Sequence, residues 1–461
     1  MKKIFYSILA VAAFCACQGL DQEPSTSVST STAIQSVEDL AFAVNGAYYR
    51  ATYGDQLTMA SELAIYADEL GPDSNVEKGS GQLAERIHNR TVTSNDSFNA
   101  YAYLYRALAN INKALEVAQT LEDQEAAAPY IAEMYGMRGL FHFHLATFFA
   151  PIPTSGSSNK LGIVLSTEVY PLDHKAPRAS LDETYQQIVD DLTTCINSGF
   201  NKDVYDGHVN YWAALALRAR AYLYWGKNDL ALADARTVIN QSPYKLLTPE
   251  NYVASWAVDN ADETIMEYIQ NDDWNAQRYN PGYYTHPDGY TEYLVTEAFY
   301  NFMQQNPNDI RSKMVAWRVT ENGKGTNGYY PMKYPGKTGS SVPLYANSIK
   351  VIRLAEVYLI AAEAAFKTGG AAAAVPYLNT LRKNRITGYT DATTTDIDDI
   401  ISERRKELFA EGQIAFDYWR NGKTIVSGAF TCPPTDNRNV LPIPKEELDV
   451  CGDILQQNPG Y

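Results

Sequence analysis

The segment 400–423, IISERRKELFAEGQIAFDYWRNGK, holds the residues best suited to chemistry. Glu403, Glu407 and Glu411 recur every four residues beside Arg404. A pair of carboxylates can hydrolyse a glycosidic bond when the two face each other across a cleft, roughly 5–10 Å apart, and an apolar setting raises the pKa of one. Helical spacing instead puts all three on one stripe, where Arg404 is close enough to neutralise them. We therefore interpret this segment as structural or interfacial ion pairing.

Metal and cofactor chemistry find no support in the sequence. His142 and His144 lie two positions apart, so on a helix they point about 200° from each other and cannot share a metal. No GxSxG, P-loop or HExxH motif occurs. The net charge of -16, without a long basic run, excludes a nucleic-acid partner. We expect no metal, no cofactor and no catalysis.

The N-terminus has the pattern of a secretory signal. Two lysines precede an apolar run over 4–16, which is too short to span a bilayer. The sequence FCAC at 14–17 resembles a bacterial lipobox, which predicts a signal peptide over 1–16 and a lipid on Cys17. The alternative is ordinary cleavage that leaves Cys17 free or disulfide-bonded. The Ser/Thr-rich stretch 17–35 reads as a flexible tether.

Three further cysteines follow the tether. Cys432 and Cys451 could form a disulfide in an oxidising compartment. Cys195 is interpreted as a small buried hydrophobe.

From residue 36 onwards, apolar residues recur at helical spacing. Two segments place small residues, an aromatic residue and turn residues at the offsets of a tetratricopeptide repeat, in which paired helices approach closely. The matching residues are Ala219, Tyr222, Gly226, Ala231 and Pro243 in the first segment, and Ala362, Gly369, Ala374 and Leu378 in the second. The pattern predicts one all-α domain over 36–461 built from such repeats, with helix pairing of an unrelated kind as the alternative.

Two stretches break the helical pattern, at 71–97 and 271–345, with short strands expected near 263–269 and 329–334. Long irregular loops on a rigid scaffold often carry function. The chain has 34 tyrosines, and flat rings stack on sugar faces while polar side chains bind the hydroxyls. The alternative for each loop residue is an ordinary turn or exposed position. The candidate ligand-binding residues are Asp73, Arg86 and Asn89 in the first stretch, and Trp274, Arg278, Tyr279, Tyr283 and Tyr284, with Tyr290 beside them, in the second.

Several blocks, taken in order, resemble the SusD/RagB family of outer-membrane nutrient-binding lipoproteins from Bacteroidetes. They follow the lipobox and cover nearly all of the mature chain. The blocks are NGAYYR (45–50), MRGLFHFHLATFFAPIP (137–153), RLAEVYLIAAEAAF (353–366), ERRKELFAEGQIAFDYWRNGK (403–423), LPIPKEEL (441–448) and NPGY (458–461).

The resemblance implies a lipid-anchored protein at the cell surface of the outer membrane. Its helical body would pack against a SusC-type TonB-dependent transporter, and a variable outer surface would capture nutrient glycan for import. The chain departs from the starch binders because it has no Trp between 71 and 105, only Phe98 and Tyr101, which leaves the sugar open. Members related to RagB are linked to peptide uptake, which is the first alternative. A secreted glycan-degrading enzyme and an adaptor protein are the others.

Overall fold

The computed structural model describes residues 33–52, 59–76, 82–96, 98–171, 173–199, 205–321, 325–427 and 430–461. The expected signal peptide over 1–16, the lipidation site Cys17 and nearly all of the tether 17–35 therefore lie outside the described residues.

Helices dominate the described chain. Their bounds are α1 Val37–Thr52, α2 Met59–Glu69, α3 Leu83–His88, α4 Asn99–Ala118, α5 Gln124–Phe149, α6 Leu181–Ser198, α7 Tyr211–Trp225, α8 Asn228–Gln241, α9 Pro281–Tyr284, α10 Glu297–Met303, α11 Leu354–Gly369, α12 Ala371–Lys383, α13 Ile397–Leu408, α14 Ile414–Arg420 and α15 Lys445–Cys451.

The helices begin and end where local chemistry permits. Ser36 accepts a hydrogen bond from the backbone N–H of Asp39 at 3.2 Å, and the Asp39 carboxylate accepts one from the N–H of Ser36 at 3.0 Å. This reciprocal cap satisfies two donors that the first turn of α1 would otherwise leave free. At the other end of a helix, Gly226 terminates α7 with a φ of 80°, a conformation that glycine adopts without a steric penalty.

The two segments with repeat spacing are antiparallel helix pairs, α7 with α8 and α11 with α12, and α11 also packs on α8. Ala219 and Ala231 of the first pair and Ala362 and Ala374 of the second are all fully buried. These small side chains let the helix backbones approach closely, so the tetratricopeptide-like architecture is confirmed.

The longest helix, α5, packs along α6 through two glycines. A Cβ on Gly136 would lie 2.6 Å from Cγ1 of Val209, and one on Gly139 would lie 2.9 Å from Cγ of Leu192. Any larger side chain would force these elements apart.

The last residues of the chain pack against the C-terminal end of α5. Asn458 is buried, and its Nδ2 donates to the carbonyl oxygens of Phe149 at 2.9 Å and Leu441 at 2.8 Å. Its Oδ1 accepts from Arg178 at 2.8 Å. One side chain therefore joins segments that are some three hundred positions apart in sequence.

Short strands form three small antiparallel sheets. Their bounds are β1 Ser74–Asn75, β2 Thr264–Tyr268, β3 Leu294–Val295, β4 Val315–Arg318, β5 Gly328–Pro331, β6 Ile349–Arg353, β7 Ile425–Ser427 and β8 Phe430–Cys432. The first sheet has the order β1-β3-β5-β4, while β2 pairs with β6 and β7 with β8. The strands expected near 263–269 and 329–334 correspond to β2 and β5.

The two stretches read as irregular are more ordered than the sequence suggested. The first contains β1 and α3, and the second contains α9, α10 and three strands. These elements are too short for a hydrophobic period to be visible in sequence. No helix among the described residues is both long and apolar enough to cross a bilayer.

Candidate functional site

The carboxylates of the 400–423 segment are buried, and their arginine partners differ from those that we expected. α13 ends at Leu408, so Glu411 lies beyond the helix and does not extend the predicted stripe. Arg404 pairs with Asp417, at 2.6 Å from Nε to Oδ2, and not with Glu407. The expectation that Arg404 neutralises the stripe was therefore wrong, because the helix turns this side chain toward α14.

The neutralising arginines come from distant segments. Glu407 accepts hydrogen bonds from Arg385 at 3.0 Å and from Arg311 and Arg353 at 3.1 Å each. Glu411, in turn, pairs with Arg353 at 2.7 Å. We call this group the buried ion cluster; its members are Arg311, Lys333, Arg353, Arg382, Arg385, Glu263, Glu403, Glu407 and Glu411.

Three carboxylates of this cluster, those of Glu403, Glu407 and Glu411, have lowered pKa values and are held ionised. Burial by itself raises the pKa of Glu403, but the charges of Arg311 and Arg382 outweigh burial and lower it to about 2. The pKa of Glu407 is lowered in the same way, against the effect of burial, by Arg385, Arg353 and Arg311. A general acid needs a raised pKa. The lowered pKa values of Glu403 and Glu407 therefore fit ion pairs that stabilise the fold.

Carboxyl groups with raised pKa values do occur, on and near α2. Burial raises the pKa of Glu62 to about 8 and those of Asp68 and Glu292 to about 7. Each of the three is less than a tenth exposed. Glu62 accepts from the N–H of Ala100 at 2.6 Å and so caps the start of α4. These acids lie in packed interior, whereas glycoside hydrolysis requires two carboxyl groups that face a substrate cleft.

In the first stretch, Asp73 and Arg86 are paired with other side chains. The Asp73 carboxylate accepts two hydrogen bonds from Arg405, at 2.5 and 2.9 Å, and is buried. Arg86 forms an ion pair with Asp96. Asn89 ends α3 and is exposed. The structure thus places Asp73 in a structural ion pair and leaves the side chains of both Arg86 and Asn89 exposed.

In the second stretch, Trp274 has 52% of its surface exposed. Its ring meets the ring of Tyr49 on α1 edge to face, with centroids 5.1 Å apart. An exposed Trp loses apolar burial, so its position suggests a use outside the fold. Tyr49 was absent from the sequence-based candidates, because it falls within the regular period of α1.

Five tyrosines of this region lie in ring contact with one another, and we call them the tyrosine cluster. Its members are Tyr279, Tyr283, Tyr284, Tyr290 and Tyr345. The rings of Tyr283 and Tyr284 lie 5.2 and 5.5 Å from that of Tyr290, and the ring of Tyr279 lies 6.1 Å away. Tyr345 completes the cluster at 5.5 Å from Tyr283. Tyr284 is buried and supports the others, while Tyr290 is 36% exposed. Tyr345 was missed, since nothing in the spacing connects it to the 279–290 loop.

Arg278 is exposed and lies beside Tyr290 and Tyr345 of this cluster. Its guanidinium forms hydrogen bonds with the hydroxyl groups of Tyr290 and Tyr345, and these bonds raise its pKa. The structure therefore brings Arg278, Tyr279, Tyr283 and Tyr284 together as the sequence analysis grouped them.

Buried amide side chains hold the backbone of the site. Gln270 is buried, and its Oε1 accepts from the N–H of Ala276 at 2.7 Å and from Nδ2 of Asn280 at 3.2 Å. Asn280, also buried, donates to the carbonyl of Asn347 at 2.8 Å and accepts from the N–H of Gly282 at 2.9 Å. Such buried polar networks fix one conformation when they are fully satisfied.

A second aromatic surface lies on the β4–β5 hairpin, and the sequence analysis did not identify it. Trp317 is 55% exposed and lies across from Tyr329, with ring centroids 5.0 Å apart. Tyr300 of α10 stacks on Tyr329 at 4.5 Å. Burial along β4 does not alternate, since Val315 is buried while Trp317, on the same face of the strand, is exposed, so no strand period indicated this surface.

The two aromatic surfaces belong to connected structure. Both carboxylate oxygens of Asp288 accept from the N–H of Glu321 at 3.0 Å, which ties the 286–288 turn to the hairpin. The chain after Tyr290 enters β3, which pairs with β5. The loop that carries the tyrosine cluster and the β4–β5 hairpin are therefore joined by a hydrogen bond and by strand pairing.

The remaining polar candidates are interior groups. His142 accepts from the N–H of Ser166 at 3.1 Å, and burial lowers the pKa of His144 to about 3. Within the described residues, no three His, Cys, Asp or Glu side chains converge as a metal site would require. Cys195 is buried as expected, and Cys432 and Cys451 are unpaired, so the disulfide considered between them is not formed.

The described chain is thus a tetratricopeptide-like repeat protein that displays two exposed aromatic surfaces and encloses a buried ion cluster. Two family models match the chain: the SusD family over residues 247–461, and a family described as starch-binding and associating with the outer membrane over residues 19–223. The chain belongs to the SusD/RagB family.

Individual relatives agree with this assignment. The chain is 25% identical to SusD-like protein P25 of Formosa agariphila, over 99% of each sequence. It is 28% identical to a SusD superfamily protein of Bacteroides thetaiotaomicron, with a TM-score of 0.85 over 92% of this chain and 100% of that structure. Surface glycan-binding protein A of Bacteroides thetaiotaomicron has the same fold, with 20% identity and a TM-score of 0.76 over 93% and 100% of the two chains.

Proposed function

We propose that this protein binds nutrient oligosaccharide on the tyrosine cluster, with Arg278 and Trp274 beside it, and delivers the glycan to a SusC-type TonB-dependent transporter without cleaving it. The observation that carries the proposal is the cluster itself. The exposed guanidinium of Arg278 bonds with Tyr290 and Tyr345, and the partly exposed rings of Tyr279 and Tyr283 adjoin that of Tyr290.

The chemistry of the cluster suits a sugar. Aromatic faces pack against the apolar C–H face of a pyranose, and phenol and guanidinium groups bind its hydroxyls. The frame of Gln270 and Asn280 holds these groups in place before the ligand arrives, which lowers the entropy lost on binding. The family description of starch binding at the outer membrane supports the same class of ligand.

A role without catalysis is supported by the distribution of carboxylates. Three carboxylates of the buried ion cluster are ionised and covered, and Glu62, Asp68 and Glu292, whose pKa values are raised, are covered too. Neither group offers an acid and a base to one substrate.

We further propose that Cys17 carries the lipid that anchors the protein to the outer membrane, where it meets the transporter. The support is the lipobox-like FCAC and the family description. Metabolic labelling with a fatty-acid probe tests the anchor: wild type should be labelled and Cys17→Ala should not. Copurification of a TonB-dependent transporter with the full-length protein tests the partner.

Calorimetric titration of the soluble form, residues 18–461, against glycan and peptide panels tests the ligand class. We expect binding to a glycan, weakened in Trp274→Ala and with no release of product. Trp317→Ala is the matched comparison, because Trp317 is exposed to nearly the same extent. Loss in Trp317→Ala alone would move the site to the hairpin, and glycan hydrolysis would refute the non-catalytic role.

Peptide capture is the second candidate, and one observation favours it. β4 is an edge strand of the four-stranded sheet, and an edge strand can pair with an extended peptide. Binding to the peptide panel with no glycan bound would select this alternative.

A further inference from the structure

Arg278 differs from most arginines of this protein in its partners. The exposed Arg438, for example, donates two hydrogen bonds to Asp436, at 2.6 and 2.9 Å. Among the described residues, Arg278 forms no ion pair, and the groups that contact its guanidinium are the phenol oxygens of Tyr290 and Tyr345. Its positive charge is therefore not neutralised by a carboxylate within the described chain.

The geometry leaves donors for a ligand. A guanidinium has five N–H donors in a planar fork that matches the oxygens of a carboxylate or a sulfate. Two phenol oxygens leave some of these donors unused. Since Arg278 is exposed, the remaining donors can reach a ligand that stacks on the adjoining rings.

The backbone on both sides of this group is held in an uncommon conformation. Gln277, immediately before Arg278, has a φ of 50°, and Thr291, immediately after Tyr290, has a φ of 55°. Non-glycine residues with left-handed backbone tend to occur at binding sites, where surrounding bonds offset the strain. Here the N–H of Gln277 donates to Oδ1 of Asn275 at 2.9 Å. The constrained backbone at Gln277 and Thr291 therefore adjoins both the residue that carries the guanidinium, Arg278, and the residue that carries its phenol partner, Tyr290.

Acidic residues close by in sequence are mostly engaged elsewhere. Asp272 accepts hydrogen bonds from the hydroxyl and the N–H of Ser341, at 2.7 and 3.0 Å. Asp288 accepts from the backbone of Glu321. Asp259 pairs with Lys337. Asp273 is exposed and is the remaining acid of the 271–290 loop.

We infer that the ligand of this site is an acidic glycan, in which Arg278 binds a uronic acid carboxylate or a sulfate ester while the rings of Tyr283 and Tyr290 pack against the sugar. The inference rests on the proposed function, because it names the class of oligosaccharide for the same surface. A neutral sugar would leave the charge of Arg278 without a counterion from the described residues, whereas an anionic sugar forms a charge-assisted bidentate pair with it.

Two matched glycan pairs test the inference by calorimetry on residues 18–461. One pair is oligogalacturonate and its methyl ester; the other is a sulfated galactan oligosaccharide and its desulfated form. We expect the acidic member of one pair to bind about tenfold more tightly than its neutral partner, as a charge-assisted bond predicts. Which pair shows the preference distinguishes carboxylate from sulfate. The preference should shrink as salt is added.

Arg278→Gln should remove the preference and leave the affinity for the neutral member nearly unchanged. Arg278→Lys should retain part of it, because the charge remains but the fork is lost. The control is Arg236→Gln, since Arg236 is also exposed and also donates to a phenol, that of Tyr377 at 2.7 Å. The control variant should keep the full preference.

Equal binding of both members in both pairs would overturn the inference and leave the proposed function standing. Retention of the preference in Arg278→Gln would also overturn it. Failure of all four glycans to bind would contradict the proposed function as well.

Discussion

Asn280 donates a hydrogen bond from Nδ2 to the backbone carbonyl of Asn347 at 2.8 Å, across 67 positions of sequence. This bond joins the loop that carries Arg278 to the segment that carries Tyr345. The tyrosine cluster draws rings from both, so its geometry depends on a residue that contacts no ligand.

Replacement of Asn280 tests that dependence. Asn280→Ala removes the donor to Asn347 and the acceptor for Gly282, both buried, so we expect a loss of about 1–3 kcal/mol in the free energy of unfolding. Glycan affinity should fall as well, although the rings are intact. Asn280→Asp keeps the acceptor for Gly282 but sets a buried carboxylate oxygen against the oxygens of Asn347 and Gln270, so it should destabilise at least as much. Unfolding in urea and calorimetric titration measure the two effects, and wild-type affinity in Asn280→Ala would contradict the role.

Trp274→Ala should weaken glycan binding by about fivefold to tenfold, the scale of one aromatic contact. The ring is half exposed and meets Tyr49 edge to face. Little packing is lost, so the melting temperature should change little. Trp419→Ala is the opposite case, because that ring is buried and its loss should cost about 3–5 kcal/mol of stability. A large loss of stability in Trp274→Ala would show that the ring belongs to the fold.

Glu407→Gln should destabilise the protein by about 3–5 kcal/mol, since it leaves Arg311, Arg353 and Arg385 without a shared counterion in the interior. The matched control is Lys445→Gln, which breaks an exposed pair with Asp449 and should change stability by less than about 1 kcal/mol. Urea unfolding of both variants measures the difference. Equal effects would mean that the cluster is far better hydrated than its burial indicates.

Stability should depend on pH in two opposite ways. Glu403 has its pKa lowered to about 2 in the folded protein against about 4.3 unfolded, so its contribution is present above pH 4.3 and lost as pH falls toward 2. Burial raises the pKa of Glu62 to about 8. Its contribution is present below pH 4.3 and lost as pH rises toward 8, since unfolding then releases a proton.

The free energy of unfolding should therefore be largest at about pH 4.3, where the two opposite slopes cancel, and decline on both sides. Glu62→Gln tests the alkaline side, because glutamine can still accept from Ala100 and cannot ionise. Its stability should fall less between pH 6 and 8 than that of wild type. Parallel curves for the two proteins would contradict the assignment to Glu62.

Thiol reactivity tests the cysteine environments. The soluble form contains Cys195, Cys432 and Cys451, of which the first two are buried and the third is partly exposed. A maleimide should label one thiol in the folded protein and three in urea. Labelling of a single thiol in urea without reductant would indicate the disulfide that the structure lacks.

The scaffold could be predicted from sequence because its information is local. Ala219 and Ala362 repeat at a fixed offset, and Ser36 with Asp39 forms a cap within three residues. The partners of Glu407 could not be predicted, since Arg311 and Arg353 reach it from separate elements. The same is true of the site: Arg278 and Tyr279 to Tyr284 are neighbours in sequence, whereas Tyr345 and Tyr49 arrive through tertiary packing. The exposure of Trp317 could not be predicted from strand alternation, since Val315 on the same face of β4 is buried.

The contact between Asn458 and the end of α5 bears on how the chain reaches its native state. The carbonyl oxygen of Phe149 accepts from Arg178, 29 positions later, and gains a second donor when Asn458, 309 positions later, arrives. Contacts of such long separation form late and slow the search for the native topology. The N-terminal helices can pair before the C-terminal segment is present, and the bonds of Asn458 complete the end of α5 last. Kinetic intermediates of this protein should thus hold formed helices and an α5 terminus that still lacks its bonds to Asn458.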